Sequence, residues 1–283
     1  MTSFSDILLT VDYDRTLTGP DSTIPERNLE AIREFMALGG AFTVNTGRSV
    51  PMARSFLDKV PTNAPLLLYN GSGAYDQNTK ALTQTHEIPL DMWQTLDECI
   101  DLFPDLLVEL QGIDAHYEIN RKPMYDVFCT ANNCAFRLAE HGADLGPFLK
   151  FSLYGQLREG TVAHLFSGSP EELARMEQAE AILKERFGAW CEVFRAAPRI
   201  IDVHAKGVSK ARAARQLQKK LGRKILVCVG DAENDLLMLR DADFAFVPGD
   251  AILAGQFPTV CPCAEGAVAD VIRKKIPEIL ARH

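Results

Sequence analysis

Polar residues, several of them acidic, follow short apolar stretches that have the length of buried strands. Three groups of residues follow such stretches: Asp12, Asp14 and Thr16; Thr46, Gly47 and Arg48; and Gly230, Asp231, Asn234 and Asp235. Because ligands of open α/β sheets bind beyond the carboxyl ends of the strands, these groups are expected at one edge. Crowded carboxylates repel one another unless a cation neutralises them, and hard oxygen ligands suit Mg²⁺. A single Asp after a strand is more often a turn residue. That explanation does not predict that such polar residues follow several core strands at once.

A lysine at the start of a predicted helix indicates the same chemistry. Lys210 follows Ser209, a suitable N-cap, so it lies in the first turn, where a cation opposes the helix dipole. A phosphate at this place is favoured by both the dipole and the ammonium group. The alternatives are a solvated lysine and the nearby Lys206, and Lys210 is the preferred candidate.

The elements that must position these residues alternate between strand and helix at both ends of the chain. Strands are predicted at 7–11, 41–45, 65–69 and 225–229, and helices at 26–37, 51–60, 210–221 and from 234 onward. Strand–helix–strand units of this length imply right-handed crossovers and an open, mostly parallel sheet. The predicted fold class is therefore α/β, with a Rossmann-like core.

The middle of the chain has a different pattern. Its predicted helices are 91–103, 127–140 and 169–187, and its predicted strands are 106–111, 116–120, 148–154 and 162–166. A further hairpin is predicted from 190–194 and 199–204. This α+β order differs from the flanking βαβ order, so the middle is predicted to be an inserted domain. The expected boundaries are 1–85 and 190–283 for the core and 86–189 for the insert.

Composition excludes several classes of protein. The 283 residues are 47% hydrophobic and 24% charged, as in an ordinary globular protein, and the net charge is −8. An acidic chain is a poor candidate for binding nucleic acid or an anionic membrane, whereas small phosphorylated substrates remain possible. No apolar run approaches a membrane span and the first residues lack a basic segment, so a cytoplasmic protein without a signal peptide is expected. Seven scattered cysteines favour reduced thiols over disulfides or a metal clip.

Four motifs carry a resemblance to a known family. The sequences around Asp12–Leu17, Thr46–Arg48, Lys210 and Gly230–Asp235 resemble, in order and distance, the four motifs of the haloacid dehalogenase (HAD) superfamily. The insert after the third strand resembles, in position, size and α+β pattern, the cap of the Cof-like, sugar-phosphatase branch. Asn70-Gly71 and the run from Gly207 to Lys210 are also similar to that branch.

The resemblance implies a Mg²⁺-dependent phosphatase that works through an aspartyl-phosphate. Asp12 would attack phosphorus, Asp14 would act as general acid and then general base, and Thr46 would hydrogen-bond a phosphoryl oxygen. Asp12, Asp231 and the backbone carbonyl of Asp14 would hold Mg²⁺, while Lys210 orients the nucleophile. The resemblance further implies supporting or substrate-contacting roles for Thr16, Gly47, Arg48, Asn70, Gly71, Asn234 and Asp235.

Two departures from the branch bear on function. Arg15 stands where glycine is usual, and Pro248-Gly249-Asp250-Ala251 stands where Asn-Ala is usual.

The cap is expected to contact the leaving group of the substrate. Candidates for these contacts are Arg121, Lys122, Tyr125, Lys150 and Arg158, while Trp93 and Trp190 are expected to fill the core of the cap. The preferred substrate is a sugar phosphate or similar metabolite. The open alternatives are a phosphosugar mutase and a HAD-like binding or regulatory protein with little turnover.

Overall fold

The structure is a computed structural model that describes residues 3–120, 134, 136–155 and 167–282. The chain divides into two compact units. The first contains Met1–Gly47, Phe56–Gln84 and Ser209–His283, and the second contains Arg48–Ser55 and Thr85–Val208.

The secondary structure is mixed α/β. Within the described residues the strands are β1 (Ile7–Val11), β2 (Ala41–Val44), β3 (Leu66–Leu68), β4 (Gly73–Asp76), β5 (Ala81–Thr85), β6 (Leu107–Gln111), β7 (His116–Glu118), β8 (Phe136–Leu138), β9 (Lys150–Tyr154), β10 (Cys191–Ala197), β11 (Ile200–Ala205), β12 (Ile225–Val229) and β13 (Phe244–Phe246). The α-helices are α1 (Glu26–Ala37), α2 (Val50–Ala53), α3 (Met92–Leu102), α4 (Pro170–Phe187), α5 (Lys210–Lys220), α6 (Leu236–Asp241), α7 (Ala267–Asp270) and α8 (Ile276–Leu280).

A four-stranded parallel sheet forms the centre of the first unit. Its order is β13-β12-β1-β2, and every pairing is parallel. All residues of β1, β2 and β12 are buried, as expected for strands covered on both faces. Because β1 lies between β2 and β12, the residues that follow these three strands come to one edge. The predicted α/β class with a parallel core is confirmed.

The predicted third strand joins this sheet only at its margin. Asn45 forms a parallel bridge with Leu67, but β3 otherwise pairs antiparallel with β4 in a three-stranded sheet of order β3-β4-β5. Strands β4 and β5 were not predicted from the sequence. Residues of β5 alternate between exposed and half-buried, which leaves little apolar signal for a strand.

A six-stranded sheet of order β10-β11-β9-β6-β7-β8 forms the second unit, and its pairings are antiparallel except for β7 with β8. The side chains of β6, β9 and β11 point alternately to an apolar face and to a mostly polar face of this sheet. The apolar face belongs to a core cluster with α3 and α4 that includes Val108, Leu110, Phe151, Leu153, Ile201, Val203, Leu96 and Leu183. The opposite face is polar and also buried, and it carries Glu109, Gln111, Lys150, Ser152, Asp202 and His204.

The structure differs from the sequence-based boundary at the end of the insert. The sequence places residues 190–208 in the core, whereas β10 pairs with β11, β11 pairs with β9, and both strands cluster with the second unit. Strand pairing between distant segments depends on side-chain packing that the local pattern does not show. Residues 48–55 likewise cluster with the second unit although they directly follow the core strand β2.

Three predicted elements need correction or lie outside the described residues. The helix predicted at 51–60 is limited to Val50–Ala53 and is followed by turns. In the helix predicted at 127–140, residues Phe136–Leu138 form strand β8, and 127–133 lie outside the described residues. The strand predicted at 162–166 also lies outside them.

The two tryptophans behave differently. Trp93 packs against the core cluster of the second unit and its Nε1 donates to the carbonyl of Ala143 at 2.9 Å. Trp190 is 47% exposed, so the expectation that it fills the core was wrong.

Within the described residues no helix is long and apolar enough to cross a membrane. The six cysteines among them are free thiols: Cys99, Cys134, Cys191, Cys228, Cys261 and Cys263.

Candidate active site

The loop after β1 presents Asp12 at the carboxyl edge of the parallel sheet. The backbone N–H of Asp12 donates to the carbonyl of Val229 at 2.9 Å, which continues the ladder beyond the strand. The chain then turns tightly, because Leu17 N–H donates to the carbonyl of Asp12 at 3.2 Å. The ring of Tyr13 stacks on Phe56 with centroids 4.1 Å apart and anchors the turn in the core. Asp12 is thereby held rigidly and is 5% exposed.

Lys210 lies against this carboxylate. Ser209 caps helix α5 by accepting a hydrogen bond from the N–H of Arg212 at 3.2 Å, as its position predicted. The Lys210 Nζ donates to Asp12 Oδ1 at 2.5 Å and to Asp235 Oδ1 at 2.7 Å. The competing candidate, Lys206, is exposed and belongs to the second unit.

The loop after β12 brings Asp231 and Asp235 to the same place. Asp235 Oδ2 accepts the backbone N–H groups of Asp231 at 3.0 Å and Ala232 at 3.4 Å, so its second oxygen folds the loop. Gly230 is required there, because a Cβ at this position would lie 2.6 Å from the Cβ of Asp235. Thr16 Oγ1 donates to Asp231 Oδ1 at 3.4 Å and links the two loops.

The resulting core cluster, defined as Asp12, Lys210, Asp231 and Asp235, sets three buried carboxylates against one ammonium group. Burial, with the neighbouring carboxylates, raises the pKa of Asp12 well above its ordinary range despite Lys210. Burial and Asp235 raise the pKa of Asp231 to about 7. Burial alone would lower the pKa of Lys210, but Asp12 and Asp235 outweigh it and the pKa is raised. The cluster therefore has one positive group for three carboxyl groups.

A divalent cation fits this imbalance. One carboxylate oxygen from each of Asp12, Asp231 and Asp235 lies within 4.8 Å of the others, and all three residues are buried. Asp235 already binds Lys210 with one oxygen and backbone N–H groups with the other. Asp12 and Asp231 are therefore better placed than Asp235 to hold a hard cation such as Mg²⁺.

The loop after β2 is built on the same edge. Asn45 N–H donates to the carbonyl of Val11 at 2.8 Å, and its side-chain Nδ2 donates to the carbonyl of Lys210 at 2.9 Å. Thr46 is 1% exposed, its N–H donates to the carbonyl of Leu67 at 2.9 Å, and its carbonyl accepts from Asn70 at 3.0 Å. Asn45 was not predicted to belong to the site, because its only signal in the sequence is a polar residue at the end of an apolar strand.

Asn70 and Gly71 form a tight turn beside helix α5. Asn70 has φ 55° and Gly71 has φ 99°, both in the left-handed region. A Cβ on Gly71 would lie 2.6 Å from the carbonyl oxygen of Ser209, so glycine permits the close approach of this turn to the helix start. A Cβ on Gly47 would lie 2.8 Å from Asn70 Oδ1, which places the two predicted motifs in contact.

The remaining predicted residues fall at the margin of the site or elsewhere. Asp14 is half-buried in the turn after Asp12, and Asn234 is exposed. Arg48 begins the segment that clusters with the second unit. Lys150 is buried in that unit and pairs with Asp202 at 2.6 Å. The other candidates for leaving-group contacts lie outside the described residues: Arg121, Lys122, Tyr125 and Arg158.

The loop at 248–251, where the sequence departs from the branch, is linked by hydrogen bonds to its neighbours. Asp250 accepts hydrogen bonds from the N–H of Cys263 at 2.9 Å and from its thiol at 3.1 Å, which ties this loop to the next turn. Leu253 N–H donates to the carbonyl of Asp231 at 3.1 Å. The unusual sequence thus has a structural use that does not touch the carboxylates of the core cluster.

Comparison with known proteins places this geometry in a family. The family model described as haloacid dehalogenase-like hydrolase matches residues 9–253. The 5-amino-6-(5-phospho-D-ribitylamino)uracil phosphatase YcsE of Bacillus subtilis is 22% identical over 86% of this chain and 84% of its own length. The HMP-PP phosphatase of Serratia proteamaculans is 24% identical over 94% of each chain. A haloacid dehalogenase-like hydrolase from Bacteroides thetaiotaomicron shares the fold, with a TM-score of 0.79, 20% identity, and coverage of 95% of this chain and 98% of the other.

The family match spans the three sheet-edge loops on which the core cluster and its neighbours stand. The resemblance seen in the sequence motifs is therefore confirmed, and family and relatives together support a phosphoric monoester hydrolase. The chain belongs to the haloacid dehalogenase-like hydrolases.

Proposed function

We propose that the protein is a Mg²⁺-dependent phosphatase that hydrolyses a small phosphorylated metabolite, a sugar phosphate in class, through an aspartyl-phosphate on Asp12. The core cluster carries this proposal. Its one lysine lies 2.5 Å from the proposed nucleophile, and its carboxylates outnumber the positive charges. Phosphoryl transfer depends on alignment and charge neutralisation more than on other covalent chemistry, and this arrangement supplies both.

Mg²⁺ would be held by Asp12, Asp231 and the backbone carbonyl of Asp14. When bound, it would neutralise the negative charge that the carboxylates and the phosphoryl group bring together. Lys210 holds one oxygen of Asp12 and so orients the carboxylate, while Asp235 holds Lys210 and the loop that carries Asp231.

The reaction has two steps. An oxygen of Asp12 forms a bond to phosphorus while the bond from phosphorus to the leaving oxygen breaks, and Asp14 gives that oxygen its proton. A water molecule then attacks the phosphoaspartate and loses a proton to Asp14. This second step releases inorganic phosphate and restores both carboxyl groups.

The other residues around the site have supporting roles in this proposal. The hydroxyl of Thr46 hydrogen-bonds a phosphoryl oxygen, and Thr16 steadies Asp231. Gly47, Asn70 and Gly71 shape the neighbouring loop. Arg48 and Asn234 stay as proposed substrate or supporting contacts on the grounds of the motif match alone.

Three further points belong to the proposal. The second unit corresponds to the cap domain of the family, supported by its α+β composition and its place in the chain. A phosphorylated polyol or sugar as substrate is supported by the name of a relative that acts on a phosphoribityl compound. A cytoplasmic location is supported by the free thiols of the six described cysteines.

Release of inorganic phosphate from a panel of sugar, polyol and nucleotide phosphates tests the proposal, with Asp12→Asn beside the wild type. We expect Mg²⁺-dependent release that EDTA removes and added Mg²⁺ restores, and a loss of at least about 10³-fold in kcat for Asp12→Asn. The variant should remain folded, because Asn has nearly the same shape and removes one of three crowded charges. Near wild-type activity in Asp12→Asn, or a rate that does not need a divalent cation, would contradict the mechanism. Transfer between sugar positions without net phosphate release would indicate the mutase instead.

A further inference from the structure

Arg15 occupies a backbone conformation that an arginine does not favour. It lies in the turn between Asp12 and Leu17 with φ 58° and ψ 14°, in the left-handed region. This region brings Cβ close to the backbone, so glycine adopts it at lower cost than any residue with a side chain. The turn itself does not need the guanidinium, because the N–H of Arg15 is held by Thr18 Oγ1 at 3.2 Å. An unfavourable backbone conformation at the edge of a site therefore suggests that the side chain of Arg15 has a function.

The side chain of Arg15 is exposed although its neighbours in the turn are buried. Tyr13, Thr16 and Leu17 anchor the turn in the core, while Arg15 projects from it. Within the part of the chain that the structure describes, Arg15 forms no ion pair, unlike Arg27 or Arg215. The guanidinium is therefore available to a ligand.

Arg15 nevertheless lies beside the core cluster. It follows Asp12 by three residues and Asp14 directly, in the turn that begins at the carboxyl end of β1 and ends at Leu17. The hydroxyl of the next residue, Thr16, donates to Asp231 Oδ1 at 3.4 Å, so this turn lies against the loop after β12. The guanidinium therefore stands at the carboxyl edge of the sheet, where a bound substrate would come close to it.

We propose that Arg15 binds a second anionic group of the substrate, a carboxylate or another phosphate, in addition to the phosphoryl group that is transferred. A planar guanidinium binds both kinds of group with two parallel hydrogen bonds, and it keeps its charge at every relevant pH. The protein accordingly prefers phosphomonoesters whose leaving group carries a negative charge. This inference rests on the proposed function, since it concerns the substrate class of the same site.

Three substrates with one carbon skeleton test the inference: glucose 6-phosphate, 6-phosphogluconate and glucose 1,6-bisphosphate. The readout is the ratio of kcat/KM for each doubly anionic substrate to that for glucose 6-phosphate. We expect Arg15→Gly to lower at least one ratio about tenfold through KM, and Arg15→Lys to lower it less. The ratio that falls more identifies the second group as carboxylate or phosphate.

Lys80 provides a matched control. It is also an exposed cation in the left-handed region, with φ 55°, but it lies in the turn between β4 and β5. Both Arg15→Gly and Lys80→Gly remove one positive charge and relieve one unfavourable φ, so both should melt at the same temperature as the wild type or higher. Only Arg15→Gly should change the ratios. Unchanged ratios in Arg15→Gly, or an equal change in Lys80→Gly, would overturn the inference.

Binding measured without turnover separates this inference from the proposed function. Calorimetric titration of Asp12→Asn with the same three compounds, with and without Arg15→Gly, measures the contribution of the guanidinium directly. Failure of the wild type to hydrolyse any of the three would count against a phosphatase for such substrates, while the affinity ratios would still decide the role of Arg15. Equal affinities in the two proteins for every compound would reject that role.

Discussion

The two units both bury charged side chains, but they balance the charges differently. In the core cluster of the first unit, Lys210 faces Asp12 and Asp235, and Asp231 stands beside them without a buried cation of its own. In the second unit, Lys150 pairs with Asp202 at 2.6 Å and His116 pairs with Glu109 at 3.3 Å. A one-to-one pair is complete by itself, whereas an excess of carboxylates is stable only with a further cation or proton.

In the second unit, one hydrogen-bonded network on the buried polar face of the sheet connects these two ion pairs. Ser152 Oγ donates to Asp202 at 2.7 Å, Tyr154 OH donates to Glu109 at 3.0 Å, and Gln111 Nε2 lies 3.3 Å from Ser152 Oγ and 3.5 Å from Tyr154 OH. At one end of the network His116 Nε2 forms a hydrogen bond with Ser49 Oγ at 2.6 Å, and Ser49 is the N-cap of α2. This network joins residues 48–55 to the sheet. The buried polar groups of this network bind one another, while those of the core cluster form the proposed active site.

The largest expected effect comes from removing the lysine of the core cluster. Lys210→Met leaves three buried carboxylates without their ammonium partner, so we expect kcat to fall about 10²–10³-fold or more. In the absence of Mg²⁺ the unfolding free energy should fall by about 3–5 kcal/mol, the usual cost of leaving a buried charge unpaired. Added Mg²⁺ should recover part of this stability through Asp12 and Asp231. Phosphate release and denaturant unfolding with and without Mg²⁺ measure both effects.

The equivalent change in the second unit sharpens the contrast. Lys150→Met removes the partner of Asp202, which is 3% exposed, so a loss of about 3 kcal/mol in unfolding free energy is expected. Mg²⁺ should restore none of it, because the variant leaves one unpaired carboxylate, that of Asp202, rather than a cluster of carboxylates that could hold the ion. Adding Asp202→Asn should recover part of the loss. Equal rescue of Lys150→Met and Lys210→Met by Mg²⁺ would remove the distinction between the two regions.

The buried His116 of the second unit is expected to make the stability of the protein depend on pH. Burial alone would lower the pKa of His116, but Glu109 raises it from 6.5 to about 9. The folded state then binds the proton more tightly than the unfolded state. The resulting stability, roughly 3 kcal/mol, is fully present below pH 6.5 and is lost as the pH rises to about 9. His116→Gln should flatten the stability profile between these values.

His204 is the matched control, because it is equally buried but responds in the opposite sense. Burial, followed by the charge of Lys150, lowers its pKa from 6.5 to about 3. Its contribution is present above pH 6.5 and is lost as the pH falls toward 3. Denaturant unfolding should therefore show that His116→Gln changes the stability profile above pH 6.5 and that His204→Gln changes it below pH 6.5. Identical profiles for the two variants would show that the charge of Glu109 does not stabilise the protonated form of His116.

Much of the candidate site could be predicted from the sequence because its signals are local. Asp12 directly follows an apolar strand, Asp231 follows another after one glycine, and Lys210 follows a recognisable N-cap. In a parallel sheet the carboxyl ends of neighbouring strands share one edge, so the order of elements alone brings these side chains together. The role of Asp235 was only partly visible, since its division between Lys210 and two backbone N–H groups depends on how the loop closes.

The rest was decided by contacts between distant parts of the chain. Residues 190–208 join the second sheet because β11 pairs with β9, some 50 residues earlier, and no local pattern specifies that partner. Ser49, His116 and Glu109 meet only because three separate segments pack on one face. Left-handed backbone at Arg15 is likewise a property of the folded turn. From hydrophobic period and capping, the sequence could thus identify the candidate residues of the site and their order along the chain. Tertiary structure alone decided strand partners, unit boundaries and the balance of buried charge, because these depend on side chains that are neighbours in space and remote along the chain.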